Sequence, residues 1–497
     1  MAEAGGKLFI MLPLQGIRLA APAAAAASGR FWRSLTARRG PAGLIRLPAA
    51  QGAELRLLDS VNEYGAKLVE IAPAALSALR ARQPNLRLVP IAFYHTAVAP
   101  RVRVETRAAA TAAAAALKVK LRVVSRRDGS PVARALVVAF TDFEERIGAQ
   151  GRTNAKGEVS LALGSAAPKL ERLYVYPERD FWPALKRNLV VRSETSIALI
   201  PLALDYIDSL RYFYGSTAAG VGEGIKVGVV DTGIAEHPDL AIAGGENTVV
   251  GEDKSDYGDN GMGHGTHVAG IIAARGEPPA GVRGLAPGVA LRSYRVFGKG
   301  SDSATNYAIT KAIDRAVEDG CDLINLSLGG GPADEAIEAA IQYARAQGSL
   351  VIAAAGNDGR RPVSFPASYS LALAVSAMGR KGTFPSGTTQ AADVAAPYGK
   401  DRKNFVAAFS NIGPELDLTA PGVGVISTYP GGYAILDGTS MACPAATGAA
   451  AAILAARAEL LGLPRDSARS EALARAVLGR ARTLGFGSLY EGQGLAR

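Results

Sequence analysis

Gly438-Thr439-Ser440-Met441-Ala442-Cys443-Pro444 is the stretch on which the reading of this chain turns. It sets a serine between small residues at the mouth of an alanine-rich helical stretch, Met441 to Ala455. A serine hydroxyl is a weak nucleophile until an imidazole accepts its proton and a carboxylate orients that imidazole. Both partners stand upstream. Asp231 follows the apolar run Ile225-Lys226-Val227-Gly228-Val229-Val230, and His264 lies in Gly263-His264-Gly265-Thr266-His267-Val268-Ala269-Gly270. An acyl-transfer intermediate also needs a donor for its oxyanion. Asn357, a neutral amide closing the small-residue run Ala353-Ala354-Ala355-Gly356, is the candidate. The start of the helix behind Ser440 adds backbone amides that favour negative charge there.

From Asp205 onward the surroundings of these residues have one rhythm. Apolar strands at 225–230, 289–296, 322–328 and 349–355 alternate with helical stretches at 303–318 and 333–347. That alternation predicts an α/β fold with a doubly wound, mostly parallel sheet covered on both faces. Reactive groups in such folds gather at the carboxyl ends of strands. Asp231, Ser327-Leu328-Gly329-Gly330 and Gly356-Asn357 all close predicted strands.

The four motifs Asp231-Thr232-Gly233, Gly263-His264-Gly265-Thr266-His267, Gly356-Asn357 and Gly438-Thr439-Ser440-Met441-Ala442 are similar in identity and order to those of the subtilisin-like serine proteases, the subtilases. The resemblance covers about residues 205–490. It implies a serine endopeptidase with Ser440 as nucleophile, His264 as general base and acid, Asp231 orienting His264, and Asn357 donating to the oxyanion. It further implies that Ser327, Leu328 and Gly329 pair with the substrate backbone, and that Ala354, Ala355 and Gly356 wall the main specificity pocket. His267 and His237 read as structural, and His95 as an isolated surface or partly buried histidine.

The chain also departs from the family. After Ala442 the family usually has Ser or Thr, Pro, then His-Val-Ala-Gly; here the run is Cys443-Pro444-Ala445-Ala446-Thr447-Gly448. Ser364 and Ala367 stand where the pocket is often lined by glycine, which narrows it. The loop that often holds calcium corresponds to Arg275–Arg283 and offers one carboxylate, Glu277, where calcium takes about six to eight oxygens. The resemblance implies no cofactor for the chemistry; structural calcium is left open, although the usual family loop is not matched.

At 497 residues the chain is long enough for about three domains. Residues 1–97 read as β-α-β-β-α-β, with strands at Lys7–Gln15, Leu55–Val61, Lys67–Ile71 and Leu86–Tyr94, a helix at Pro73–Arg82 and another within 20–40. This order resembles the inhibitory propeptides of subtilases. It implies an intramolecular inhibitor or chaperone and an autoinhibited precursor. Residues 98–116 read as a linker to be cut on activation. Residues 117–203 read as a small β-sandwich, transthyretin-like or carboxypeptidase-regulatory-like, with a turn at Asp128-Gly129 and no chemistry of its own. Residues 204–497 are the catalytic domain.

Charge divides along the same line. Residues 1–203 carry 30 Lys/Arg against 15 Asp/Glu, and the remainder 25 against 30, which predicts a basic front docked on an acidic rear. The basic residues lack interleaved aromatics, so no nucleic-acid partner is expected; the partners are protein or peptide substrates and the chain's own front, and the chain is read as a monomer. Two cysteines make no disulfide framework. No apolar run reaches the roughly 18 residues of a membrane span. A stretch from Lys7 to Ala27 loosely imitates a secretion signal, but Glu3, Gln15 and Arg18 interrupt it, and the compartment, secreted or periplasmic included, is left open. Two rival readings share the motifs: a catalytically silent binding protein on the same fold, and an ester hydrolase or peptide ligase using the same acyl-enzyme.

Overall fold

Every residue of Leu323–Leu326 and Leu350–Ala354 is buried, and a strand apolar on both sides needs cover on both faces. The computed structural model, which describes residues 6–13, 44–46, 54–82, 86–105, 117–163, 169–192 and 195–497, places these strands at the centre of a nine-stranded sheet. Its order is Ile242–Asn247, Ala290–Arg295, Lys226–Asp231, Leu323–Leu326, Leu350–Ala354, Ala372–Arg380, Asn404–Ala407, Val394–Tyr398, with Leu416–Pro421 also paired to Ala372–Arg380. Pairing is parallel from the first strand to Ala372–Arg380 and antiparallel at the far edge. Strand order reverses at Lys226–Asp231, which has later strands on both sides. That is the topological switch point, where open α/β sheets form their crevice.

Side-chain alternation assigns the two layers. Val227, Val229, Ile352 and Ala354 pack with helices His264–Ala273 and Thr439–Ala455 on one face. Val230, Val351 and Ala353 pack with helices Asn306–Glu318 and Glu335–Ala346 on the other. One expected helix is shorter than the sequence suggested. Ser303–Thr305 is a strand, and the helix begins at Asn306, where the Thr305 hydroxyl caps the Ala308 amide.

Ahead of this unit lies an antiparallel five-stranded sheet, Leu44–Arg46, Glu54–Ser60, Lys67–Ile71, Lys7–Leu12, Arg87–Pro90, with helix Pro73–Arg82. The helix expected within 20–40 lies outside the described residues. In Lys7–Leu12 the period of two is used on both sides. Phe9 and Met11 face helix Pro73–Arg82, while Ile10 and Leu12 meet Tyr307 and Ala336 of helices Asn306–Glu318 and Glu335–Ala346. The contact between the two units is thus largely apolar. Its ion pairs run in both senses, Arg87 to Glu335 (3.1 Å) but also Asp59 to Lys311 (2.6 Å), so the charge imbalance of the sequence does not by itself organise this interface.

The expected strand Leu86–Tyr94 is two strands. Arg87–Pro90 completes the front sheet, whereas Phe93–Thr96 leaves it and runs antiparallel between Ser303–Thr305 and Leu328–Gly329. Pro90 has no amide hydrogen to continue the first ladder. Residues 98–105, read from the sequence as the start of a featureless linker, also carry defined hydrogen bonds; 106–116 lie outside the described residues. Beyond them, two sheets stack as a sandwich: Glu158–Leu163, Leu117–Ser125, Thr195–Leu199 against Ala184–Val190, Lys169–Tyr176, Leu136–Asp142, Ile147–Arg152. The sequence reading had not separated Ile147–Arg152 and Ala184–Val190. The sandwich seats on the catalytic unit through Trp182, buried beside Val282, Ile426 and Ile435, and through backbone bonds from Asp180 to Tyr433 and from Leu185 to Gly387.

Candidate active site

Three short stretches deliver three side chains to one point. Asp231 is the last residue of the switch-point strand, His264 the first of its helix, and Ser440 the second of the helix Thr439–Ala455. His264 Nδ1 lies 2.7 Å from Asp231 Oδ1, which also accepts the Thr232 amide at 2.7 Å. The pair is almost wholly buried, at 5% and 0% side-chain exposure. This contact occupies Nδ1 of the imidazole, and among the described residues the buried Nε2 has no hydrogen-bond partner. Ser440 Oγ instead donates to the Ser327 carbonyl at 3.0 Å.

The helix behind Ser440 contains Pro444, which has no amide to give the carbonyl four residues earlier. That carbonyl belongs to Ser440, and the Ser327 hydroxyl donates to it at 3.0 Å. Proline thus frees a group that ties the backbone of Ser440 to the Ser327 side chain. Cys443, where the family usually has serine or threonine, packs in the same seam. Its thiol contacts Asn325 Oδ1 at 3.2 Å, beside the Thr447 hydroxyl, and burial pushes its pKa up. Both cysteines are buried free thiols.

Asn357 is oriented by Thr439. Its Oδ1 accepts the Thr439 amide (2.9 Å) and hydroxyl (3.1 Å), and that hydroxyl accepts the Gly356 amide (3.1 Å). With the oxygen so engaged, Nδ2 is the group left for the cleft. Gly356 has φ +104°, and Ser364 Oγ stands 2.6 Å from where its Cβ would be and 2.9 Å from where a Cβ of Gly329 would be. A serine hydroxyl therefore fills the space between these two glycines.

The cleft is already threaded. Tyr94 to Ala99 crosses it in extended form, with His95 opposite Gly329 and Thr96 opposite Leu328. The Ala97 amide donates to Ser327 O (3.1 Å), the Ala97 carbonyl accepts the Ser440 amide (2.9 Å), and the Ala99 amide donates to Asp437 O (2.8 Å). Gly438 has φ +153°, and a Cβ there would stand 2.6 Å from the Ala97 oxygen, so only glycine admits the segment this close. Tyr94 is fully buried in the cluster containing Ala304, Ala308 and Leu328, and its hydroxyl donates to Pro332 O at 2.7 Å. His95 is exposed, as read, but not isolated: it belongs to this strand, with Nδ1 3.0 Å from Asp302 O.

Sequence reasoning missed Tyr94–Ala99 as part of the site. A signal was present nearby, since Arg101-Val102-Arg103-Val104 alternates with the period of a strand.

The remaining histidines are structural. His267 Nε2 is 3.2 Å from both Val425 O and Ala434 O, and burial, then the nearby His264, lowers its pKa to about 3. His237 holds its turn through the Asp239 amide and Gly432 O. In the loop Arg275–Arg283, Glu277 pairs with Arg283, and Asp239 accepts the Val282 amide and the Tyr433 hydroxyl. Those engaged carboxylates do not fit the donor set calcium takes, and no group of three or more His, Cys, Asp or Glu suited to a metal occurs among the described residues. No helix among them is long and apolar enough to cross a membrane.

The profile of the subtilase family matches residues 222–494. Subtilisin DY of Bacillus licheniformis is 42% identical over 239 residues, which is 47% of this chain and 77% of the relative. Subtilisin Savinase of Lederbergia lenta is 42% identical over 233 residues, with the same two shares. Alkaline elastase YaB of Bacillus sp. (strain YaB) is 42% identical over 233 residues, 47% of this chain and 54% of the relative.

Proposed function

Because the chain belongs to the subtilase family and is a serine endopeptidase, we propose that Asp231, His264, Ser440 and Asn357 carry its chemistry and that its first substrate is its own Ala97–Val98 bond. Ser440 Oγ rotates from the Ser327 carbonyl to His264 Nε2 and attacks the Ala97 carbonyl carbon as Nε2 takes the hydroxyl proton. Asp231 stabilises the resulting imidazolium through Nδ1–H. The oxyanion is met by the Ser440 amide and by Asn357 Nδ2, donors held in place before charge develops. When the intermediate collapses, His264 passes its proton to the nitrogen of Val98, which leaves as a free amine. Water then repeats the sequence on the acyl-enzyme, releasing the Ala97 carboxylate and restoring the serine.

The observation that carries this reading is the hydrogen bond from the Ser440 amide to the Ala97 carbonyl, flanked by Ala97 to Ser327 and Ala99 to Asp437. These bonds support a reading in which the Ala97–Val98 bond is the one that Ser440 attacks. Residues 1–97 would remain bound after the cut, through the apolar face around Ile10 and Leu12 and through Tyr94, and so act as inhibitor. The Ser364 hydroxyl between Gly356 and Gly329 favours a small residue before the cut, and the burial of Tyr94 favours an aromatic or apolar one three positions earlier. The test is intact mass and N-terminal sequencing of purified wild type and Ser440→Ala. A new N-terminus at Val98 in wild type alone is the expected result; an uncut wild type, or a cut in both, sinks the reading.

A further inference from the structure

Past the Ala97–Val98 bond the chain does not drift away from the catalytic unit but enters a cleft that the β-sandwich helps to wall. The Val102 amide donates to the Tyr176 hydroxyl (3.4 Å), the Val104 amide to Gln150 Oε1 (3.2 Å), and the Glu105 amide to Arg146 O (3.3 Å). Val102 and Val104 pack against the sandwich cluster Val138, Phe140, Tyr174 and Leu185. Between the sandwich and the catalytic unit lies a cavity of about 90 Å³ whose lining includes Tyr176 and Glu178 on one side and Asp393 and Asp437 on the other. Arg101 belongs to its lining and is exposed, with its guanidinium carbon 5.3 Å from the Tyr176 ring centroid.

Charge explains why an arginine sits there. Asp437 accepts the Gly424 amide (2.6 Å) and a Gln390 side-chain hydrogen bond (2.8 Å). Burial pushes the Asp437 and Asp393 carboxyls up, Asp437's charge raises Asp393 further, and Arg101 acts on Asp437 in the opposite sense. Arg179, also in the lining, is turned to Gly431 O and Asp180, and Arg152 works against Arg101 rather than for it. Of the three carboxyls in the lining, Glu178 is paired with Arg134 (2.7 Å); the other two, crowded in one cavity, are relieved by a cation, and a planar guanidinium suits that place while stacking on an aromatic face.

We infer that the β-sandwich and the catalytic unit together form a leaving-side binding site that reads a basic side chain, arginine before lysine, at the fourth residue after the cut, with apolar residues at the fifth and seventh. The chain's own Val98–Glu105 is its first occupant. The sandwich, which holds no reactive cluster, is thereby a specificity element. This rests on the assignment of Ala97–Val98 as the bond at the nucleophile.

The test uses the full chain in two settings. In a Ser440→Ala background, hydrogen exchange of the amides in 98–105 is compared for Arg101, Arg101→Lys and Arg101→Glu. Exchange about tenfold faster in Arg101→Glu, a smaller change in Arg101→Lys, and unchanged core strands of the sandwich are expected. This readout needs no catalysis, so it stands apart from the role of Ser440. With Ser440 present, self-cleavage should slow about tenfold in Arg101→Glu and recover in part when Asp393→Arg is added. Equal exchange in all three chains, or no recovery in the charge swap, overturns the inference.

Discussion

Ser364→Gly should change which residue the enzyme accepts before the cut. Ser364 Oγ stands 2.6 Å and 2.9 Å from the Cβ positions of Gly356 and Gly329 and donates to Ala355 O at 3.1 Å, so the pocket between these glycines suits the methyl of Ala97. The substitution removes two side-chain atoms from that space. If a bulkier side chain fills it with two further carbons, the gain is about 0.8 kcal/mol for each buried, about 1.6 kcal/mol in all. That corresponds to about fifteenfold in rate ratio. Glycine also loosens the backbone, and the hydroxyl's bond to Ala355 is lost, but these costs fall on every substrate and cancel in a ratio. The assay compares kcat/KM for two internally quenched peptides built on the chain's own sequence, Tyr-His-Thr-Xaa-Val-Ala-Pro-Arg, with Xaa alanine or leucine. The Leu/Ala ratio should rise about fifteenfold from wild type to Ser364→Gly. A ratio that stays within twofold, or shifts toward alanine, refutes the claim that this hydroxyl sets the pocket's depth.

Three further outcomes are expected. Asn357→Ala should lower kcat with little change in KM; loss of this donor in a subtilisin costs about 10²–10³ in kcat, and steady-state kinetics showing the whole loss in KM would contradict an oxyanion role. For His267, the folded pKa of about 3 lies below the ordinary histidine value, so its contribution to stability is full above about pH 6.5 and drains away as pH falls toward 3. In a Ser440→Ala background, the stability deficit of His267→Gln seen at pH 8 should therefore shrink by about 2.7 kcal/mol by pH 4.5; denaturant melts showing a pH-independent deficit would mean that His267 titrates in the fold as it does in the unfolded chain. Finally, because residues 1–97 dock through Ile10, Leu12, Tyr307 and Ala336 rather than through one-sided charge, about 1 M salt should leave the cleaved complex intact in gel filtration. Dissociation there would restore the electrostatic account that the net charges first suggested.

The triad was legible because its chemistry leaves few choices. A strand must end in a carboxylate, a helix must open with histidine, and another with serine, and glycine or alanine must flank each for backbones to approach. Such constraints are local, so they survive in short motifs, and the alternation of strands and helices around them gave the parallel sheet. What the motifs did not disclose is where the chain pairs with itself. Phe93–Thr96 looks like the end of Arg87–Pro90, since a strand's own residues carry the same alternation whichever sheet receives them. Its partners, Ser303–Thr305 and Leu328–Gly329, lie more than 200 residues away. The same holds for Arg101 to Val104, whose alternation was visible but whose partners in the sandwich were not. Reactivity is therefore written in single positions and can be read one at a time. The choice of bond is written in register: moving the Tyr94–Ala99 segment by one residue would take Ala97 O away from the Ser440 amide and turn each neighbouring side chain to the opposite side of the strand. Of everything in this cleft, the register is the part that no stretch of sequence could have carried alone.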